Sequence, residues 1–172
     1  MVALAYKQGV PMGGTIASQP SKGNAKFLVS ALKDGGSAKL PGANLEQIQI
    51  IKGWIDQDGH THEKIYTIDG EEIDEPTVDL SNCKVNKNLG KESMCKVWED
   101  PHFDPTQHAF YYARVLEVES CRWNQWEAIR NPEISPPSEA PKTIKERAWT
   151  SPIWVLPEAK KEAPAKRIRR VR

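Results

Sequence analysis

The sequence predicts a mainly β protein: an antiparallel, sandwich-like module with long loops, little helix and a disordered basic C-terminal tail. Three observations carry that expectation. Short apolar runs rich in β-branched and aromatic residues recur along the chain, separated by turn-forming clusters roughly every ten residues. Thirteen prolines and eleven glycines are spread over the 172 residues instead of forming one tract, which interrupts regular elements throughout. Apolar residues make up 38%, below the roughly 45–50% of ordinary globular domains, in keeping with many short elements joined by turns.

The elements follow in order. ALAYKQGVPMGG reads as the end of one element running into a Pro-Gly turn, with no polar cap ahead of it, so Met1 is expected to be an internal methionine of a longer protein. KFLVSAL, residues 26–32, lies between the turn-rich SQPSKGN and KDGGSAKLPGAN and predicts a buried strand. EQIQIIKGWI carries Ile48, Ile50 and Trp54 on one parity and Ile51 and Ile55 on the other, the pattern of an interior strand. DQDG then supplies a turn in which Gly59 can take positive φ, and THEKIYTID returns with His62, Tyr66 and Ile68 on one parity. The two segments predict a hairpin.

TVDL and CKVWED predict further short strands. HAFYYARVLEVESCRW, residues 108–123, is the most strand-like stretch. Phe110, Tyr112, Leu116 and Val118 share one parity, and Ala109, Tyr111, Ala113 and Val115 the other. Such a strand belongs at the centre of a sheet, with apolar groups to cover on both faces. WNQWEAIR, with Trp123, Trp126 and Ile129 near helical spacing, predicts one or two helical turns. The proline-rich NPEISPPSEAP is irregular, and TIKERAWTSPIWV predicts a final strand docking back, with Pro152 at an edge or a bulge.

The net charge of +1 hides an asymmetry. The last fifteen residues hold 7 of the 24 basic and 2 of the 23 acidic side chains, which leaves 17 basic against 21 acidic in the body. Two segments follow: a β-rich unit over 1–156 and a basic tail over 157–172. KRIRRVR offers charge for a nucleic acid or an anionic surface, but without interleaved aromatics it reads as a solvated tail. No run reaches the roughly 18 apolar residues of a membrane span, and the apolar stretch at the N-terminus is too short for a secretory signal.

Cys83, Cys95 and Cys121 match no zinc-site spacing. Cys83 and Cys95 flank KVNKNLGKESM, a polar loop that can close as a hairpin. A Cys83–Cys95 disulfide is therefore the pairing to expect in an oxidising compartment, with Cys121 left over, and none in the cytosol.

Four groups of residues carry candidate chemistry. His60 and His62, one residue apart in GHTHEK, would point the same way on a strand and present two imidazoles to one metal, with Asp56 and Asp58 nearby. The competing reading is an ordinary set of exposed polar residues after a hairpin turn. Asp100, His102 and Asp104 in DPHFDP form a second candidate ligand set, against a reading in which the carboxylates bond backbone N–H groups of a structured loop. Trp123, Trp126, Trp149 and Trp154 crowd the final third, where indoles stack on sugars or cover a domain junction. Arg114 and Arg122 are placed to pair with carboxylates. Nucleophile elbows, phosphate-binding loops and dinucleotide glycine motifs are lacking.

Several long motifs occur together and in order: GVPMGG, FLVSALKD, PGANLEQIQIIKGW, GHTHEKIYTI, the span from VWEDPHFDP to RVLEVESCRW, and APKTIKERAWTSPIWV. In these the chain resembles the C-terminal part of the DUF3604 family, proteins related to the polymerase-and-histidinol-phosphatase-type metallohydrolases. The resemblance implies a metal-dependent hydrolase whose metal-binding residues lie upstream. It implies no cofactor in this chain and a divalent metal in the full-length relatives. It also implies a partner, either the upstream catalytic domain of the same protein or a companion chain, and a periplasmic or secreted location. In the family pattern the position of His60 varies, and Thr15 stands where relatives usually carry Asp.

Overall fold

The computed structural model describes residues 2–18, 23–133, 135, 137 and 139–157. The expected tail therefore lies outside the described residues from 158 onward. A helix, α1 (Val2–Gln8), is followed by β1 (Thr15–Ser18), β2 (Lys26–Leu32), β3 (Leu45–Ile55) and β4 (Thr61–Gly70). Then come β5 (Val78–Asp79), β6 (Lys84–Val85), β7 (Ser93–Glu99), β8 (Ala109–Glu117) and β9 (Ser120–Cys121). The chain ends with α2 (Trp123–Arg130), β10 (Thr143–Ile144), β11 (Arg147–Trp149) and β12 (Ile153–Pro157). The mainly β class and the small share of helix are as the sequence predicts.

The principal sheet runs β1-β12-β8-β3-β4, with β11 also paired to β8. All its pairings are antiparallel except β1 with β12, which run parallel with Thr15 opposite Trp154. β8 is central and β3 interior, as their double apolar parity requires. TIKERAWTSPIWV is not one strand but three short ones. β10 pairs β9, while β11 and β12 lie end to end along the same edge of β8. Pro152 has no N–H for the ladder, and Thr150 fills the gap by donating its N–H to Ala113 O at 3.1 Å. Its Oγ1 accepts the Ala113 N–H at 3.0 Å.

The β3–β4 hairpin turns where expected. Asp56 Oδ1 accepts the N–H of Asp58 at 3.0 Å and of His60 at 2.8 Å, and Gly59 takes φ +84. An L side chain at that φ would be strained, which is why glycine stands there.

Residues paired across the strands share a face, so the sheet has two distinct sides. One carries Ile48, Ile50 and Trp54 of β3, Tyr66 of β4, Ala109 and Tyr111 of β8 and Val155 of β12. On it lies the β2–β7 ribbon, whose Phe27 packs 4.5 Å from the Tyr111 ring while Trp98 packs 4.8 Å from Tyr66. This is the core. Within it Lys52 and Asp100, 3% and 0% exposed, form an ion pair of 2.6 Å. The Tyr111 hydroxyl donates to the same carboxylate oxygen at 2.7 Å, and Lys52 also donates to His102 O at 2.8 Å. Burial alone would raise the Asp100 pKa, but the bonds from Lys52, Tyr111 and the His102 N–H outweigh it and hold the carboxyl below its usual range.

The structure corrects the cysteine pairing. Cys83 is bonded to Cys121, with Cα atoms 5.6 Å apart, and Cys95 is free and exposed. Residues 83–95 do not close as a hairpin, because β6 folds back on β5 through a turn that puts Cys83 at φ +56. β7 pairs with β2 instead, placing Cys95 opposite Ser30.

Candidate functional site

The other side of the principal sheet is the candidate site, and it is built from residues of the opposite parity. Phe110 stands opposite both Gly53 and Trp154. A Cβ at Gly53 would collide with the Phe110 ring, so only glycine lets the ring lie across β3. Trp154 is tilted against Phe110 at 5.5 Å, and Tyr112 lies nearly parallel to Phe110, 11° between planes at 6.4 Å. The next row sets Tyr112 beside Ile51 and Ile65, and the following one sets Trp149 beside Arg114 and Gln49.

This side is largely apolar and exposed toward its margins, with Ile51 buried among the surrounding rings. Trp149 is 60% exposed, Ile55 and Ile65 47%, Trp154 46% and Leu156 41%. At its end, where β3 meets β4, Phe110, Trp154, Leu156, His62 and His108 line an open cleft of about 590 Å³. Arg114 donates from Nε and Nη2 to Gln49 Oε1 at 2.8 and 2.6 Å, not to a carboxylate as the sequence suggested. A guanidinium on an apolar face thus has no carboxylate partner among the described residues.

The four tryptophans singled out from the sequence do not form one surface. Trp149 and Trp154 belong to this face. Trp123, 69% exposed, and Trp126, with the Arg130 guanidinium 5.3 Å from its ring, belong to α2. Phe110 and Tyr112, read as ordinary strand residues, supply the rest of the aromatic row. Their alternation along β8 was visible, but not which parity lacks a cover.

The two candidate ligand sets separate clearly. In DPHFDP the groups are engaged locally: Asp100 in the buried pair with Lys52, and Asp104 Oδ1 with the N–H and hydroxyl of Thr106 at 2.8 and 2.7 Å. His102 Nδ1 lies 3.4 Å from the Tyr66 hydroxyl. Asp100, His102 and Asp104 are not among the donors that converge on one point among the described residues. At the hairpin the opposite holds. Asp56, Asp58 and His60 bring one donor atom each within 4.8 Å of one another. His62 Nε2 lies 2.7 Å from Asp56 Oδ2, and His60 Nδ1 lies 3.6 Å from the same oxygen. The His62 hydrogen bond, followed by the His60 N–H, lowers the Asp56 pKa.

A second cleft, of about 690 Å³, lies at the far end of β3 and β4 under the acidic loop 71–75. There Glu46 Oε1 takes the Lys145 ammonium and the Ile73 N–H, each at 2.8 Å, while its buried Oε2 has no partner.

No curated protein and no solved structure matches the chain. A family model described as "Protein of unknown function (DUF3604)" matches residues 1–157, a span that takes in every strand, the hairpin and the aromatic face. The chain belongs to the DUF3604 family.

Proposed function

We propose that this chain is the β-rich accessory module of a DUF3604 protein and that its bare aromatic sheet face packs against the rest of that protein. In this reading the rest is the metal-dependent hydrolase domain implied by the family resemblance, and the module completes and stabilises it. The observation that carries the reading is the uncovered face. Soluble monomers rarely expose contiguous apolar patches of more than a few hundred Å², yet the rows from Trp154 to Ile65 lie next to one another on a sheet whose opposite side carries the core. Arg114 adds a specification for the covering surface: apolar in the middle, with a carboxylate set against the guanidinium.

The test is the association state of the purified chain, with and without Trp154→Lys combined with Ile65→Lys. Both side chains are half-exposed, so the fold should survive. The expected result is self-association and binding of a hydrophobic dye by the native chain, both abolished in the variant with little change in Tm. A native chain that is monomeric at high concentration and binds no dye overturns the reading.

A second reading rests on the geometry of the aromatic row. Near-parallel Phe110 and Tyr112 beside Trp154 make a platform of the kind on which sugar rings stack, and the cleft adds Thr61 and Glu63 as polar groups. Saturable quenching of tryptophan fluorescence by an oligosaccharide, lost in Trp154→Ala, would favour it over domain packing.

A further inference from the structure

We propose that the β3–β4 hairpin turn is a site for a divalent transition-metal ion, held by Asp56, Asp58, His60 and His62. Four features support it. The donor set is two imidazoles and two carboxylates, the mixture that zinc, nickel and copper take up and that calcium and magnesium do not select. The spacing is close to that of ligands around one ion. With metal–N and metal–O bonds of roughly 2.0–2.2 Å, tetrahedral ligand atoms stand roughly 3.3–3.5 Å apart. His60 Nδ1 is 3.6 Å from Asp56 Oδ2, and the Asp56, Asp58 and His60 donors all fall within 4.8 Å.

The donors are also available. The Asp58 carboxylate accepts no hydrogen bond among the described residues, and the contact of His62 Nε2 with Asp56 Oδ2 at 2.7 Å is one that an ion would replace. Finally, the frame is set by atoms other than the donors. Asp56 Oδ1, not Oδ2, caps the turn through the Asp58 and His60 N–H groups, and Gly59 supplies the positive φ that brings His60 back over Asp56. The His62 ring is stacked on Trp54, 5.1 Å between centroids and 17° between planes, which limits its rotation. Asp56, Asp58 and His60 already converge, and His62 meets them at Asp56 Oδ2, so closing the set asks Asp58 and His60 to turn toward that oxygen.

The site borders the cleft through His62, which shares Trp54's side of the sheet and lines the cleft where the two sides meet at the end of β3 and β4. An ion there would have positions left for water or for a group from whatever occupies the cleft. The inference does not depend on the docking reading, because its ligands all come from this chain and its test uses this chain alone.

The experiment uses the untagged chain, stripped with a chelator, dialysed and titrated with Co²⁺, then with Zn²⁺ in competition. The expected result is a visible Co²⁺ absorption that saturates at one ion per chain and is displaced by Zn²⁺. His60→Ala, His62→Ala and Asp58→Asn should each weaken binding by about tenfold or more. Asp56 is left intact because its Oδ1 holds the turn. His108→Ala, outside the proposed ligand set, should leave binding unchanged. Absence of saturable 1:1 binding overturns the proposal, and so does binding that survives the three hairpin substitutions but falls in His102→Ala or His108→Ala.

Discussion

Replacing Cys121 by serine should destabilise the chain by about 4 kcal/mol, because the disulfide it forms closes a long loop. The two cysteines are separated by 38 residues. Loop-closure entropy for a ring of that length comes to about 4 kcal/mol at 25 °C. At roughly 2–4 °C per kcal/mol for a chain of this size, Tm falls by on the order of 10 °C. Cys83 and Cys121 are 6% and 8% exposed, so the serine hydroxyl adds a burial cost of its own to the loss of the cross-link, while its smaller size introduces no clash. Thermal and urea unfolding of Cys121→Ser, Cys83→Ser and the double variant should give similar destabilisation, since each removes one and the same cross-link. Cys95→Ser should behave as the native chain, because that thiol is free and exposed. Native chain treated with reductant should fall to the level of Cys121→Ser. If Cys95→Ser costs as much as Cys83→Ser while Cys121→Ser costs nothing, the bond joins Cys83 to Cys95 and the arrangement of β5, β6 and β9 described above is wrong.

Three further outcomes follow from the packing. Lys52→Met leaves the Asp100 carboxylate buried without its ammonium and should cost about 3–5 kcal/mol, and pairing it with Asp100→Leu should recover part of that loss in a double-mutant cycle. The depressed pKa of Asp100 gives this network a pH dependence. Its stabilisation is present above the unfolded carboxyl value of roughly 3.9 and is lost as the pH falls through the lower folded value. Urea titrations at descending pH should show a drop in the native chain that is smaller in Asp100→Asn. Gly53→Ala should cost roughly 1–3 kcal/mol through the clash with the Phe110 ring. Phe110→Leu in the same chain should relieve much of that cost, and a Gly53→Ala variant as stable as the native chain would mean that the ring does not lie where it is described.

The hairpin, the central β8 and the interior β3 were legible in the sequence because each rests on local information: alternation of side chains, a Gly-containing turn, and apolar residues on both parities. The helical turns of WNQWEAIR were legible for the same reason. What could not be read depends on distant partners. The true partner of Cys83 is 38 residues away, whereas the loop that suggested Cys95 is closed by pairings of β7 with β2 that local pattern does not specify. Lys52 shares the parity of Ile48, Ile50 and Trp54, but nothing near it in sequence names its partner; its position opposite Tyr111 turns it toward Asp100, 48 residues on. In the candidate sites, the histidine pair was readable from spacing. Asp58 joins it only through the path of the turn, and Phe110 joins Trp154 only through the register of β8 with β12.

Double apolar parity in β8 was read as a strand covered on both faces, and the structure covers one of them. The difference bears on function, because a strand evolves apolar residues on a face that is buried somewhere. The open edges of the sheet are poor routes to that burial. β1 is only four residues long, and β4 carries Glu63 and Lys64 in its first half and bulges at Ile68 against β3, features that discourage pairing with another strand. The face has no such protection: Trp154, Leu156, Ile55 and Ile65 are contiguous with half-buried Phe110 and Tyr112, and the charges in these rows are Glu63, opposite Gly53 on the edge strand, and Arg114, which is bonded to Gln49. Association through the face should therefore respond to Trp154→Lys and be indifferent to substitutions on the outer edge of β4, and this separates burial against a partner domain from edge-to-edge aggregation of an incomplete sheet.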